Sequence, residues 1–108
     1  MLFLKIAHYK QSWFDLPKEK RAEIQKETVA FLEKYKKLGK LKARWGFVNM
    51  RGAVSIWDFD STELASRVEL EYPLYCYTDT EEVPVFDNDA WVTFVKNIIE
   101  PTAHSLIK

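Results

Sequence analysis

A few side chains in this sequence have the chemistry needed to move a proton on an organic molecule. His8 is the first candidate for a base, because an imidazole titrates near neutral pH. Asp79 is another candidate, since a positioned carboxylate can act as a general base and this one follows Tyr75 and Tyr77 at alternate positions. Both residues also have a simpler interpretation, as ordinary polar residues near a strand end.

Two cations and a set of aromatic rings could hold the substrate of such a reaction. Lys5 and Arg44 could neutralise a carboxylate or an enolate, although each could equally be a surface residue or an ion-pair partner. Pockets for small molecules are mostly apolar with a few placed polar groups. The rings that would suit a flat, unsaturated or aromatic ligand are Trp13, Trp45, Trp57, Tyr75 and Tyr77. The simpler interpretation is that these rings fill a core.

The composition argues against several other classes of function. The 108 residues include 16 Lys and Arg against 16 Asp and Glu, so nothing in the net charge favours nucleic acid or an anionic membrane as a partner. No apolar run approaches the roughly 20 residues of a membrane span. With three glycines and one cysteine, we find no phosphate-binding loop and no metal-binding spacing, so we expect no cofactor and no metal. A single cysteine fits a reducing compartment, and we expect a soluble, cytoplasmic protein.

The segment from Leu41 to Asp60 is the clearest structural element, and it predicts two strands joined by a turn. Residues of the two arms alternate between faces, which is typical of strands. In the first arm one face holds Leu41, Ala43, Trp45 and Phe47; in the second arm Val54 and Ile56 oppose Ser55, Trp57 and Phe59. Between the arms, Asn49 and Gly52 supply residue types that tolerate a positive φ in a turn.

The remaining segments complete an alternating pattern. Leu2 to Tyr9 predicts a first strand, with Leu2, Leu4, Ile6 and His8 on one face and Phe3, Lys5, Ala7 and Tyr9 on the other. We then expect a loop over 10–14, followed by a helix from an Asp15 cap to Leu38 and, after the hairpin, a helix from an Asp60 cap to about residue 70. Residues 74–85 predict a strand at an edge of the sheet, because they contain Pro84. A last helix over about 88–100 is capped by Asn88 or Asp89.

This order of elements predicts one α+β domain over residues 1–108. Strand, helix, strand, strand, helix, strand is the βαββαβ pattern of the ferredoxin-like fold, with a four-stranded antiparallel sheet and both main helices on one face. The C-terminal helix is an addition to that pattern. Because the other face of the sheet carries large apolar residues, we expect a second copy of the chain to cover it in a homodimer or a higher homo-oligomer.

Several short motifs along residues 1–86 resemble the muconolactone isomerase family, which belongs to the dimeric α/β-barrel proteins. The motifs are Met1-Leu2-Phe3, Leu16-Pro17, Glu23-Ile24, Leu38-Gly39-Lys40, Trp45, the block Val54-Ser55-Ile56-Trp57-Asp58-Phe59-Asp60-Ser61 followed by Glu63-Leu64, and Pro73-Leu74-Tyr75 with Tyr77. These motifs are structural rather than catalytic. The family carries a His and an Arg in its first strand, where this chain has Leu4 and Ile6.

The resemblance implies a cofactor-independent enzyme that moves a double bond within an unsaturated lactone. Such a reaction needs a base, a donor that holds the enolate oxygen, and return of the proton to another carbon. Glu23 becomes a further candidate for the base because it lies in a segment similar to the family, although a solvated helical carboxylate is the simpler interpretation. The candidate catalytic set is therefore His8, Glu23 and Asp79, and the candidate substrate-binding set is Lys5, Arg44, Trp45, Trp57, Tyr75 and Tyr77.

Two other functions remain open on the same fold. One is a cofactor-free monooxygenase or a polyketide-type cyclase that acts on an aromatic substrate. The other is a non-catalytic protein that binds a ligand or builds an oligomer. In the enzyme interpretations the partner is a small cyclic or aromatic molecule.

Overall fold

The strands and the longer helices follow one another in the predicted order, and one short helix after the first strand was not predicted. The computed structural model describes residues 1–99, so residue 100 of the predicted last helix lies outside the described residues. The elements are β1 (Leu2–Tyr9), α1 (Gln11–Phe14), α2 (Lys18–Lys37), β2 (Leu41–Gly46), β3 (Gly52–Asp58), α3 (Thr62–Glu71), a 3₁₀ turn (Tyr75–Tyr77), β4 (Thr78–Val85), α4 (Asn88–Phe94) and a π-helical turn (Val95–Ile99).

The four strands form one antiparallel sheet in the order β2-β3-β1-β4. This order confirms the predicted α+β ferredoxin-like fold, in which the first and third strands are central. β4 lies at an edge of the sheet, as the presence of Pro84 predicted, because a proline cannot donate to a second neighbouring strand.

The first arm of the hairpin differs from the prediction because its alternation is interrupted. An irregularity between Leu41 and Ala43 shifts the pairing of β2 with β3. Leu41 pairs with Trp57 and is buried, whereas Ala43 and Trp45 pair with residues of the opposite face. A β-bulge inserts one extra residue and so reverses the side to which later residues point. The predicted single face for Leu41, Ala43 and Trp45 is therefore wrong.

The turn between β2 and β3 uses a different residue from the one predicted. Met50 has the positive φ, at 62°, and the Asn49 side chain accepts a hydrogen bond from the Arg51 amide at 2.9 Å. Gly52 matters for a steric reason. A Cβ at Gly52 would overlap the carbonyl oxygen of Ala7 on β1, so only glycine permits this approach of the two strands.

The segment predicted as a loop after β1 contains the short helix α1. Trp13 on this helix is only 3% exposed and packs in a cluster with Ile24 and Leu74, so it forms part of a second small core. α2 begins after Pro17 rather than at Asp15. Its end agrees with the prediction, since Gly39 follows it with a φ of 74°.

Three further element boundaries differ from the prediction. The N-cap of α3 is Ser61 rather than Asp60, and its hydroxyl accepts a hydrogen bond from the Leu64 amide at 3.1 Å. The N-cap of α4 is Asp87 rather than Asn88 or Asp89. Residues Tyr75–Tyr77 form a 3₁₀ turn, and β4 begins only at Thr78.

The main core lies between the sheet and the two long helices. Phe59 is fully buried, and Trp57 stacks on it with ring centroids 5.5 Å apart. Val68 of α3 and Tyr35 of α2 close this core from the helical side. Burial of such aromatic side chains is the main source of stability in a domain of this size.

Among residues 1–99, large apolar side chains are exposed on the sheet and on the helix α4, as well as at other positions. On the helix-free face of the sheet, the side chains of Trp45 and Val83 are 57% and 38% exposed. On α4, Trp91 and Phe94 are 51% and 45% exposed. Residues 1–99 extend 66 Å along the longest axis against 28 and 23 Å across, which is long for a domain of this length.

Candidate functional site

A row of polar side chains crosses the buried face of the sheet, one from each strand. Arg44 on β2 pairs with Ser55 on β3, Ser55 pairs with Lys5 on β1, and Lys5 pairs with Glu82 on β4. Residues that pair directly across strands point to the same side of a sheet. We call these four residues the polar row. Its members face the helices, where polar groups are expensive unless they have partners.

The rows on either side of the polar row have opposite character. On one side lie the large or apolar residues Leu41, Trp57, Phe3 and Pro84, and on the other side lie the small residues Gly46, Ala53, Ala7 and Thr80. Small side chains cannot fill the space beneath the helices. A cavity therefore forms next to the polar row.

The cavity lies between the sheet and the helices α2 and α3. Its helical side consists of Phe31 and Leu32 from α2 and of Glu69 and Tyr72 from α3 and its C-terminal end. The free space, counted as room for the centre of a water molecule, is about 30 Å³. Of the lining residues Arg44 is the most open to solvent, so its side chain lies at the mouth.

Lys5 is the central group of this site. Its ammonium group lies 2.6 Å from a carboxylate oxygen of Glu69, and the two side chains are only 8% and 15% exposed. The same ammonium group lies 4.9 Å from the centre of the Trp57 ring and 5.7 Å from that of Phe59. The cation is thus held by one carboxylate and by the faces of two aromatic rings.

Glu82 lies opposite Lys5 across the β1–β4 pair and is the least satisfied member of the row. Its Oε1 atom is buried and has no hydrogen-bond partner within residues 1–99. Burial raises the pKa of the Glu82 carboxyl, the positive charge of Lys5 opposes this, and the negative charge of Glu69 adds to it. Glu82 therefore keeps its proton to a higher pH than an exposed glutamate does, while Lys5 makes its ion pair with Glu69.

Tyr72 supplies a hydroxyl group at the other side of the cavity. It follows Glu69 by three residues, so both side chains leave the same face of α3. Burial raises the pKa of Tyr72 to about 12, although the neighbouring Arg44 guanidinium acts in the opposite direction. Tyr72 is therefore a neutral hydroxyl donor throughout the physiological pH range.

Three of the residues predicted to bind substrate lie together at this cavity. Lys5, Arg44 and Trp57 all line it. Sequence reasoning did not single out Glu69, Tyr72 or Glu82, and their residue types alone gave no signal. Had the pairing of β1 with β4 been known in advance, Glu82 would have followed from its position opposite Lys5.

The three predicted catalytic residues lie apart from one another or outside the cavity. His8 is exposed on the helix-free face, where its ring lies 5.6 Å from that of Phe47. Asp79 pairs with His8 across β1 and β4, but its side chain is 79% exposed and faces Lys10 at 3.8 Å. Glu23 is on α2 with its side chain 63% exposed. Their catalytic roles stay predictions.

The other predicted binding residues also lie away from the cavity lining. Trp45 is on the helix-free face. Tyr75 is 44% exposed in the 3₁₀ turn, and Tyr77 packs against Trp13 with ring centroids 5.9 Å apart. Their roles in binding likewise stay predictions.

Residues 1–99 contain no group of three or more His, Cys, Asp or Glu side chains arranged to hold a metal ion. No helix in the same range combines the length and the apolar character needed to cross a membrane.

Comparisons with known proteins give a structural match and no sequence match. No protein-family model matches the chain, and no curated protein matches it by sequence. Among solved structures, it is similar to 5-chloro-2-hydroxyhydroquinone dehydrochlorinase (TftG) from Burkholderia phenoliruptrix AC1100, in complex with 2,5-dihydroxybenzoquinone. The TM-score is 0.68 with 16% identical residues, and the match covers 83% of this chain and 98% of that one. At this identity the likeness shows the fold alone, which is ferredoxin-like in both.

Proposed function

We propose that this chain is a cofactor-independent enzyme that binds a small cyclic, unsaturated molecule in the cavity beside the polar row. The proposed reaction is a proton transfer that moves a double bond, with isomerisation of an unsaturated lactone as the reference case. The observation that carries the proposal is the Lys5–Glu69 pair, a buried ion pair whose two members both line a cavity. Sites for small molecules are typically cavities lined by apolar side chains with a few placed polar groups, and this cavity has that lining.

The lining residues match the three tasks of the reaction. In the proposal, the Glu69 carboxylate removes a proton from a carbon α or γ to the substrate carbonyl group (the γ carbon in an α,β-unsaturated lactone), and electrons shift to the carbonyl oxygen. The Arg44 guanidinium and the Tyr72 hydroxyl donate hydrogen bonds to the resulting enolate oxygen. Glu69 then returns the proton to a different carbon, so the double bond changes position and no other reactant is consumed.

The size and surroundings of the cavity are consistent with a flat ligand that enters from the side of Arg44. About 30 Å³ is room for a water molecule, so binding of a ring requires a lining side chain to move. Arg44 is exposed and has a long flexible stem, which makes it the side chain best able to do so. The fold neighbour TftG was solved with a six-membered quinone ring bound, which supports a ring compound as the ligand here.

The proposal is tested by following the absorbance change as an unsaturated lactone such as muconolactone is isomerised. We expect turnover by the unmodified protein and a loss of about 100-fold or more in kcat/KM for Glu69→Gln, since general-base catalysis contributes about that much. Glu63→Gln is the matched control, because Glu63 is an exposed carboxylate in the first turn of the same helix.

Absence of turnover with a series of lactones would remove the isomerase assignment. Equal activity of Glu69→Gln and Glu63→Gln would show that the reaction does not use the cavity. Oxygen uptake with a phenol, together with no lactone turnover, would support a monooxygenase instead.

We also propose that the active form is a homodimer in which two sheets cover one another. Support comes from the helix-free face, where the half-buried side chains of Leu4, Ile6, Val54 and Ile56 adjoin the exposed Trp45. A contiguous apolar surface of this kind is typical of an interface. Because a face-to-face pair is symmetric, the same residues of each copy would meet across the two-fold axis.

A further inference from the structure

The arrangement of charges around the cavity is uneven. Lys5 and Arg44 contribute two positive charges, and Glu69 contributes one negative charge through its 2.6 Å contact with Lys5. Glu82 is the fourth ionisable group near the cavity, and its protonation decides whether the net charge of these four groups is zero or positive. Its position opposite Lys5 and its buried, unpartnered Oε1 atom make it the group on which the balance depends.

An ionised Glu82 would leave a buried carboxylate oxygen without a donor. Lys5 already donates to Glu69, and no other side chain within residues 1–99 donates to Glu82 Oε1. A carboxyl group avoids this cost by keeping its proton, because the neutral form loses much less on leaving water. With Glu82 neutral, the four groups carry one net positive charge.

We propose that the cavity selects a singly charged anion of a small ring compound, and that Glu82, as a neutral carboxyl group, is the positioning residue that leaves Lys5 and Arg44 with this surplus charge. The inference rests on the proposed function, because it assigns a charge to the ligand of the same cavity. The ligand class is a phenolate, an enolate or a ring carboxylate. Glu82 acts through Lys5 and does not line the cavity itself.

The proposal links anion binding to the protonation of Glu82. A bound anion favours the protonated form of Glu82, so it raises the pKa of that carboxyl further. By reciprocity, loss of the Glu82 proton must weaken anion binding by the same factor. Affinity for an anion should therefore be highest at low pH and should fall as the pH rises through the pKa of Glu82, which burial holds above its ordinary value. The charged groups that face Glu82 are Lys5 from β1 and Glu69 from α3.

Benzoate and benzamide form a suitable pair of probes, because they share a ring and differ in charge. Benzoate stays ionised above about pH 5, and benzamide is neutral throughout. We expect isothermal titration calorimetry to show that benzoate binds more tightly than benzamide and that its affinity falls roughly tenfold as Glu82 loses its proton. Benzamide affinity should not change with pH. Titrations in buffers of different ionisation enthalpy should show net proton uptake with benzoate.

Two variants on adjacent positions of β4 separate the proposed role of Glu82 from a general effect of charge. Glu82→Gln keeps the size of the side chain and cannot ionise, so above about pH 5 benzoate should bind this variant with the same affinity at each pH and without proton uptake. Glu81→Gln is the control, because Glu81 is exposed and points to the opposite face of the strand. This control should keep the pH dependence of the unmodified protein. Circular dichroism establishes that both variants are folded.

The outcomes distinguish this inference from the proposed function. If benzoate and benzamide bind equally, or if the pH dependence persists in Glu82→Gln, the inference is overturned and the ring-binding cavity stands. If benzoate binding takes up no proton in the unmodified protein, the inference is also overturned, whether or not the variant folds. If neither probe binds but the lactone assay shows turnover, only the inference fails; if neither binding nor turnover is found, both proposals fail.

Discussion

Replacing Lys5 by methionine tests the energetic role of the buried ion pair. The change keeps an unbranched stem of similar length over the Trp57 ring but removes the charge that faces Glu69. At 2.6 Å the attraction amounts to about 6 kcal/mol for an effective dielectric constant of about 20, and desolvation of both groups offsets much of it. What remains in Lys5→Met is a largely buried carboxylate without its partner.

Removal of one partner from a buried pair destabilises a protein by roughly 3–5 kcal/mol. Since Glu69 is 15% exposed and can turn partly towards water, we expect a loss of about 3 kcal/mol in the free energy of unfolding at neutral pH. The double variant Lys5→Met/Glu69→Leu should recover most of this loss, because neither partner is left alone. Urea unfolding followed by circular dichroism measures the free energy of unfolding of the unmodified protein and of both variants.

The surface pair Lys20–Glu23 provides the matched control. Its atoms are 3.8 Å apart and its side chains are 53% and 63% exposed, so Lys20→Met should change the free energy of unfolding by less than about 0.5 kcal/mol. Equal effects of Lys5→Met and Lys20→Met would refute the reasoning, because they would mean that the Lys5–Glu69 pair is solvated like a surface pair.

Three further predictions concern the close approach of β1 and β3 at Gly52, the pKa of Tyr72, and the helix-free face of the sheet. Gly52→Ala should destabilise the protein by about 2 kcal/mol or more, because the new Cβ would overlap the Ala7 carbonyl oxygen. Gly46→Ala is the control and should have little effect, because a Cβ at Gly46 meets open space. Equal urea midpoints for the two variants would contradict this prediction. Tyr72 should titrate at about pH 12 in a spectrophotometric titration. Because its folded pKa is raised above the ordinary value of 10.0, its contribution to stability is complete below about pH 10 and is lost as the pH rises to about 12. If a Tyr72→Phe variant loses the same stability between about pH 10 and pH 12, the loss does not come from ionisation of Tyr72. Ile56→Glu places a charge on the helix-free face and should convert a dimer into a monomer in sedimentation equilibrium; a monomeric unmodified protein would refute the proposed sheet-to-sheet dimer.

Strict alternation is what made the sheet predictable from the sequence. β1 begins and ends at the predicted residues, and Lys5 lies on the same buried face as Phe3, as its position in the pattern requires. The alternation of β3 is confirmed as well, with Ser55 and Trp57 buried beneath the helices. Alternation is a local property, and it fails only where one residue is inserted, as between Leu41 and Ala43.

The candidate site was only partly predictable, because its geometry depends on pairing between distant segments. Lys5 and Arg44 were identified by charge, but nothing local shows that Ser55 separates them or that Glu82 completes the row. Glu69 was a residue near the predicted end of a helix, and its contact with a lysine 64 positions away follows from the packing of α3 on the sheet. His8 is the opposite case, since its chemistry attracted attention but its parity in β1 places it on the helix-free face.

The most direct test of the proposed binding site is a map of amide chemical-shift changes in the protein on addition of 2,5-dihydroxybenzoquinone, the ring compound found with the fold neighbour. We expect the largest changes at Ala7, Ala53, Ser55 and Thr80, which lie beneath the helices. Changes confined to the helix-free face, around His8 and Trp45, or no changes at any ligand concentration, would contradict the claim that the cavity beside the polar row is the binding site.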